Sequence, residues 1–287
     1  MNETNDVTDD SHTLGDITEQ HCAAGTLGLA LLRGWYVDGV ANERLAVAIR
    51  ALLDEPGTPI NPAPEAMLAG YAAWSARYDG DNPMIETEEA VVLPVLDQLA
   101  ASGVRALDAG CGTGRHASHL VSRGCVTIAC DQSSDMLAIA RHKVLDATFV
   151  RARLTDLPFD DGAFDLATVA LALCHLPDPT PALAELRRVL RVGGDLVISD
   201  PHANGMVVGG QAFFRDGAGR IRWVTNHYHS ASTWLQAFRH VGFQVVDCVE
   251  PGYSDAHVAT NPAARDHPEA ARAAVDGLPS LWIWHLR

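Results

Sequence analysis

The run Asp108-Ala-Gly-Cys-Gly-Thr-Gly114 places three glycines, two residues apart, directly after an acid that closes the apolar stretch from Val104. Glycines let a backbone take positive φ and approach a ligand with no Cβ in the way. At the carboxyl end of a first strand, such a turn is where an α/β sheet holds a nucleotide-like cofactor. A second acid, Asp131, closes the next apolar run, Cys125 to Cys130. An acid about 20 residues beyond a glycine turn can take both hydroxyls of a ribose. The two signals predict an adenosine-containing cofactor. A dinucleotide site wants G-x-G-x-x-G, and here Arg115 occupies the sixth position. A P-loop is excluded, because no Gly-Lys-Ser/Thr follows the glycines.

Three histidines are candidates for moving a proton. His175 ends the run Ala170-Leu-Ala-Leu-Cys-His175, at the carboxyl end of the predicted fourth strand, facing the place where a substrate would wait. It reads equally as a base or as a packing residue beside Leu176 and Pro177. His227 and His229 flank Tyr228 and share one face if that run is extended. They suit a base or two metal ligands, but no third ligand lies nearby to complete a metal site. Two solvent-exposed histidines are the plainer reading, and no metal is expected.

Further motifs follow in order: Leu154-Thr-Asp-Leu-Pro-Phe159, then Phe164-Asp165 opening the fourth strand, then Leu186-Arg-Arg-Val-Leu-Arg-Val-Gly-Gly194 before the fifth. With the glycine turn, they make Val104 to Asp200 resemble the class I S-adenosylmethionine-dependent methyltransferases of the quinone, sterol and secondary-metabolite type. The resemblance implies a Rossmann-like, seven-stranded, mostly parallel sheet with helices on both faces and an antiparallel last strand. It implies S-adenosylmethionine as cofactor. Asp108 would orient the loop of Gly110, Gly112 and Gly114 beside the methionine part. Asp131 would bind the ribose with Gln132 beside it. Backbone around Leu154 would meet the adenine edge, Ala170 would lie at the end of the fourth strand, and Tyr78 would lie near the cofactor. Arg153 stands where the family usually has an acid for the adenine amino group. Arginine only donates, so Asp156 or apolar walls and backbone must serve instead. The implied activity is methyl transfer to oxygen, nitrogen or carbon of a small, partly apolar metabolite in natural-product biosynthesis. The alternative that Arg153 motivates is a protein that binds the cofactor without transfer, as a cyclase or binding module.

Strands and helices must position these residues, and their alternation is that of a parallel sheet covered on both faces. Strands are predicted at 104–109, 126–130, 147–151, 164–171, 194–200, 243–249 and 280–286. Helices are predicted near 115–123, 134–142, 180–190 and 231–240. Residues 1–20 read as a disordered acidic tail. Residues 21–64 read as an N-terminal helical cap with a proline-rich linker, in which Leu27 and Leu31, Val37 and Val40, and Leu45, Ile49 and Leu52 recur at helical steps. Residues 65–287 read as the main domain. In it Tyr71, Trp74 and Tyr78 share one helix face, and a lid insertion at 201–229 contains a hairpin turning at Asp216 to Gly219. Phe213, Phe214 and Trp223 are expected either to line an apolar pocket or simply to pack.

Charge and composition narrow the partners. A net charge of −15 with Lys143 as the only lysine lacks the basic footprint of a nucleic-acid binder. No Asn/Asp-Pro-Pro-Tyr run ends the fourth strand, which also argues against methylation of bases. Cys22, Cys111, Cys125, Cys130, Cys174 and Cys248 show no C-x-x-C spacing, so neither a zinc site nor a disulfide framework is expected. No apolar run reaches the ~18–20 residues that span a bilayer, and the polar N-terminus is not a signal peptide. The expected setting is the cytoplasm, with a small-molecule substrate, no nucleic acid, no membrane, and a homodimer contact through the N-terminal helices.

Overall fold

The structure is a computed structural model that describes residues 17–34, 39–57 and 59–287. Most of the expected acidic tail, and Val37 of the expected helical pattern, lie outside the described residues. Two helices open the fold, α1 (Glu19–Gly34) and α2 (Gly39–Asp54), followed by a two-residue strand β1 (Ala63–Pro64). Then come α3 (Met67–Trp74), α4 (Pro83–Leu99), β2 (Arg105–Ala109), α5 (Arg115–Ser122), β3 (Val126–Asp131), α6 (Ser134–Lys143) and β4 (Thr148–Arg151). After these follow β5 (Phe164–Ala170), α7 (Thr180–Val189), β6 (Leu190–Pro201), β7 (Ala212–Arg215), β8 (Ile221–Val224), α8 (Ala231–Val241) and β9 (Val245–Val249). The chain closes with α9 (Asp255–Ala259), α10 (Pro268–Val275) and β10 (Leu281–Leu286).

The main sheet has seven strands in the order β4-β3-β2-β5-β6-β10-β9. From β4 to β6 all pairings are parallel, and β10 runs antiparallel between β6 and β9. The expected sheet and its reversed last strand are therefore present. Both faces are covered, which is why β2 carries four consecutive buried residues, Ala106 to Ala109, and not an alternating pattern. Leu183, Leu186, Trp234 and Phe238 of α7 and α8 fill one face. Val92, Leu96 and Leu120 of α4 and α5 fill the other. Strand order reverses at β2, with β3 on one side and β5 on the other. Ligands bind in the crevice beyond the strand ends at such a reversal.

Two features add to the expected plan. The β7–β8 hairpin turns where predicted, but β1 joins it, parallel to β8 with Ala63 opposite Arg222, so the proline-rich stretch is tied into the 201–229 insertion. The cap also draws on both ends of the chain. Ala23 and Leu27 of α1 pack with Val258, Ala263 and Ala271 from the segment between β9 and β10. That segment's helices, α9 and α10, were not foreseen. They are short and alanine-rich, and their only signals are Ser254, whose side chain accepts from the His257 N–H at 3.1 Å, and Pro268 in a first helical turn.

Candidate active site

A cavity of about 270 Å³ opens beyond the carboxyl ends of β2, β3 and β5. Gly110 (φ +70°) and Gly112 (φ +53°) form part of its wall. A Cβ on Gly110 would lie 2.9 Å from the Ala172 Cβ, so only glycine fits there. Gly114 (φ +82°) stands one step back, at the N-cap of α5. Asp108 is also off the wall: it is buried, and its Oδ2 accepts the Ala117 N–H at 2.8 Å. It fixes the start of α5 behind the glycine turn and does not face a ligand. Burial pushes its carboxyl up, partly offset by His116 and the Ala117 N–H.

Asp131 does face the cavity. Its Oδ2 accepts the Gly112 N–H at 2.9 Å and its Oδ1 the Ser133 N–H at 2.8 Å. Burial raises its pKa, and those backbone donors act the other way. A carboxylate has about four lone-pair sites, so both oxygens can still accept sugar hydroxyls. Tyr78, Gln132, Arg153, Leu154 and Ala170 lie on the same wall. Arg153 is exposed, and Asp156, the suggested substitute acid, is exposed and is not among the lining residues. Met67, Met136 and Ala172 also line the cavity and escaped the sequence reading; Tyr71 lines it too, and the sequence marked it only as part of an aromatic helix face. Their apolar and aromatic types gave no signal distinct from core packing.

A larger cavity of about 890 Å³ lies between α1, α3, the 205–213 segment and the C-terminal helices. Tyr71, Tyr78, Leu171 and His175 line both cavities. Leu171 holds φ +51° at the end of β5, a conformation that costs a branched side chain free energy and that collects at functional sites. The His175 Nδ1 lies 2.9 Å from the Thr225 carbonyl oxygen and its Nε2 2.6 Å from the Tyr71 hydroxyl. A carbonyl only accepts, so Nδ1 carries the proton, Nε2 is left as an acceptor, and Tyr71 donates to it. Burial lowers the His175 pKa, the Thr225 carbonyl opposes this, and His227 adds to it.

His227 and His229 depart from expectation. Residues 225–230 are not a strand, and both rings line a separate hollow behind that segment. His229 is buried, with Nε2 3.4 Å from the Leu173 carbonyl oxygen and its ring edge-on to Trp234. It is a packing residue, neither solvent-exposed nor placed as a base. His227 instead uses its backbone N–H on the Cys174 carbonyl at 2.6 Å. Of the expected apolar trio, Phe213 lines the larger cavity, whereas Phe214 stacks on Trp74 with centroids 5.4 Å apart. Trp223 lines neither cavity. Among the described residues, no three His, Cys, Asp or Glu side chains are grouped to hold a metal ion.

Behind the glycine turn, Glu88 of α4 is fully buried. It accepts from Arg115 Nη1 at 2.5 Å and from Ser199 Oγ at 2.7 Å, and lies 3.3 Å from His116 Nε2. Arg115, the residue that broke the dinucleotide pattern, is thus spent on an internal ion pair.

Residues 107–198 match a family model described as a methyltransferase domain. A demethylmenaquinone methyltransferase of Clavibacter sepedonicus is 33% identical over 147 residues, 49% of this chain and 60% of that protein. A solved S-adenosylmethionine-dependent methyltransferase of Mesorhizobium loti superposes with a TM-score of 0.53 at 25% identity, over 69% of this chain and 97% of that one. Residues 107–198 thus form a methyltransferase domain, and the chain has the fold of the S-adenosylmethionine-dependent methyltransferases. It spans only about 60% of the length of the curated relatives that it matches. A [4+2]-cyclase, SpnF, shares the fold with a TM-score of 0.57 at 20% identity, over 81% of this chain and 98% of that one. The smaller cavity suits the cofactor of this methyltransferase family: glycines where a Cβ would intrude, a carboxylate for the ribose, and the apolar walls of Met136 and Leu154 for the base.

Proposed function

We propose that the chain transfers a methyl group from S-adenosylmethionine to an oxygen, nitrogen or carbon nucleophile of a small, partly apolar metabolite, as in natural-product biosynthesis. The observation that carries this reading is the shared wall: Tyr71, Tyr78, Leu171 and His175 border both cavities. A donor in one and an acceptor in the other would meet there. When bound, the cofactor supplies a methyl group on a sulfonium, an electrophile that needs no activation. The chain then has to hold the acceptor in line and keep water out.

Asp131 takes the ribose hydroxyls, and the glycine turn lets backbone lie against the methionine part. Apolar walls and backbone near Leu154 hold the adenine, because Arg153 offers no acceptor. His175 accepts a proton only through Tyr71, since both of its ring nitrogens are engaged. A protonated acceptor would hydrogen-bond to the Tyr71 oxygen as that hydroxyl gives its proton to Nε2. The likeness to demethylmenaquinone methyltransferases supports an acceptor of quinone type.

Calorimetry with S-adenosylhomocysteine tests the cofactor assignment. Asp131→Ala is expected to lose about tenfold in affinity, ~1.4 kcal/mol, and equal affinity in both proteins removes Asp131 from the site. A second reading, cofactor binding without transfer, draws on the fold shared with a [4+2]-cyclase and on Arg153. Methyl-labelled cofactor separates the two: label in product supports transfer, and turnover without label supports the second reading.

A further inference from the structure

The larger cavity has a wall without positive charge. Among the described residues that line it there is no lysine or arginine, and the one carboxylate, Asp81, is exposed at the rim. Its two histidines, His175 and His257, are both held neutral near pH 7, because burial lowers their pKa values. Flat faces are abundant instead: Tyr71, Trp74, Tyr78, Phe213, Tyr228 and Tyr253 all border it.

We propose that this cavity selects an uncharged, drug-sized, ring-bearing acceptor and rejects an anionic one by leaving its charge unpaired. The inference rests on the methyltransferase reading for the word acceptor, but the selection itself is a property of the wall. A carboxylate or phosphate entering the cavity gives up its hydration and finds no cation in exchange. The net charge of −15 adds a repulsive field at longer range. An ammonium group also loses hydration on entry, and Asp81 meets it only at the solvent edge. A volume of about 890 Å³ lies in the range of sites for drug-sized ligands. Aromatic walls reward flat rings by stacked and edge-on contact.

Three matched compounds test this by equilibrium dialysis with S-adenosylhomocysteine present: 1-hydroxyanthraquinone, its 2-carboxylate and its 2-aminomethyl derivative. The neutral compound is expected to bind and the carboxylate to bind at least about thirtyfold more weakly, whereas the ammonium compound, drawn by the aromatic faces and the net charge of −15, is expected to bind better than the carboxylate. Val208 lines the cavity and is 40% exposed, so Val208→Arg puts a cation on the wall without disturbing the core. This variant is expected to bring the carboxylate to within about threefold of the neutral compound measured on the same variant, as an ion leaving water gains from a partner. The proposal is overturned if the carboxylate binds wild type as tightly as the neutral or the ammonium compound. It is equally overturned if the neutral one fails to bind, or if Val208→Arg leaves the carboxylate rejected, which would make the cause shape. Failure of S-adenosylhomocysteine to bind counts against the methyltransferase reading instead, and the three compounds then decide the charge selection without it.

Discussion

Glu88 has no exposed surface and still stays ionised, because its neighbours are arranged around its charge. Burial alone would raise its pKa, but the charges and hydrogen bonds of His116 and Arg115 outweigh burial and hold it at about 2. The folded value lies below the ordinary carboxylate value, so the stability it contributes is complete above pH 4.5 and is lost as pH falls toward 2. That contribution is about 3 kcal/mol. Glu88→Gln should be less stable than wild type at pH 6, but by less than the ~3–5 kcal/mol of a fully broken buried pair, because Arg115 keeps Glu89 at 3.2 Å, and should show a flatter acid dependence. Urea unfolding at pH 6 and at pH 3 checks both; parallel curves for the two proteins would contradict the assignment. At this scale the sequence singled out Gly110, Gly112 and Asp131, which the fold brings to one cavity wall, because their types and spacing are distinctive. It did not reveal that Glu88 is buried, that Tyr71 holds His175, or that His229 packs on Trp234. The first two roles depend on residues 27 and 104 positions away, and nothing local distinguishes a buried histidine from an exposed one.

Elements were legible where an apolar run stops abruptly at an acid or a glycine. Strands β2 and β3 end at Ala109 and Asp131, within a residue of where the sequence placed them. Helix α8 begins after Ser230, whose side chain accepts from the Thr233 N–H, and ends at Gly242 with φ +85°. The 203–210 segment shows what was hidden. The Tyr228 ring lies against Gly205 and its hydroxyl donates to the Gly210 carbonyl at 2.6 Å, pinning this segment over the larger cavity. A Cβ on Gly205 would lie 2.5 Å from Tyr228 Cε1, so Gly205→Ala must push the ring away. The expected cost is about 1–3 kcal/mol, as for overpacking. Tyr228→Phe keeps the packing and loses one hydrogen bond, about 1 kcal/mol. Urea midpoints of the two variants should therefore rank with Gly205→Ala the less stable, and the reverse order would mean that the hydrogen bond, not the close approach, holds the segment.

For the whole molecule, family resemblance implied seven strands with the last one reversed, as observed, but neither the strand order nor the way the cap is assembled was legible. Helix α1 was expected to belong to an N-terminal unit, yet its buried face is completed by α10 and the turn before it. Arg33, in the last turn of α1, donates from Nε to the Ala273 carbonyl at 3.0 Å and from Nη2 to the Asp276 carbonyl. Arg33→Ala should raise hydrogen–deuterium exchange over residues 268–276 while leaving β2 and β5 protected, because local opening follows contact density. Uniformly faster exchange would instead mean that the cap and the sheet open as one unit. The pairing of α1 with α10 also sets an order of events at the ribosome. Roughly 230 residues separate the end of α1 from the start of α10, and at ~5–20 residues per second the nascent helix waits about 10–50 s for its mate. Through that interval only α2 covers α1, through Leu45, Ile49 and Leu52, so the side of Ala23 and Leu27 that later meets α10 stays open to water on the growing chain.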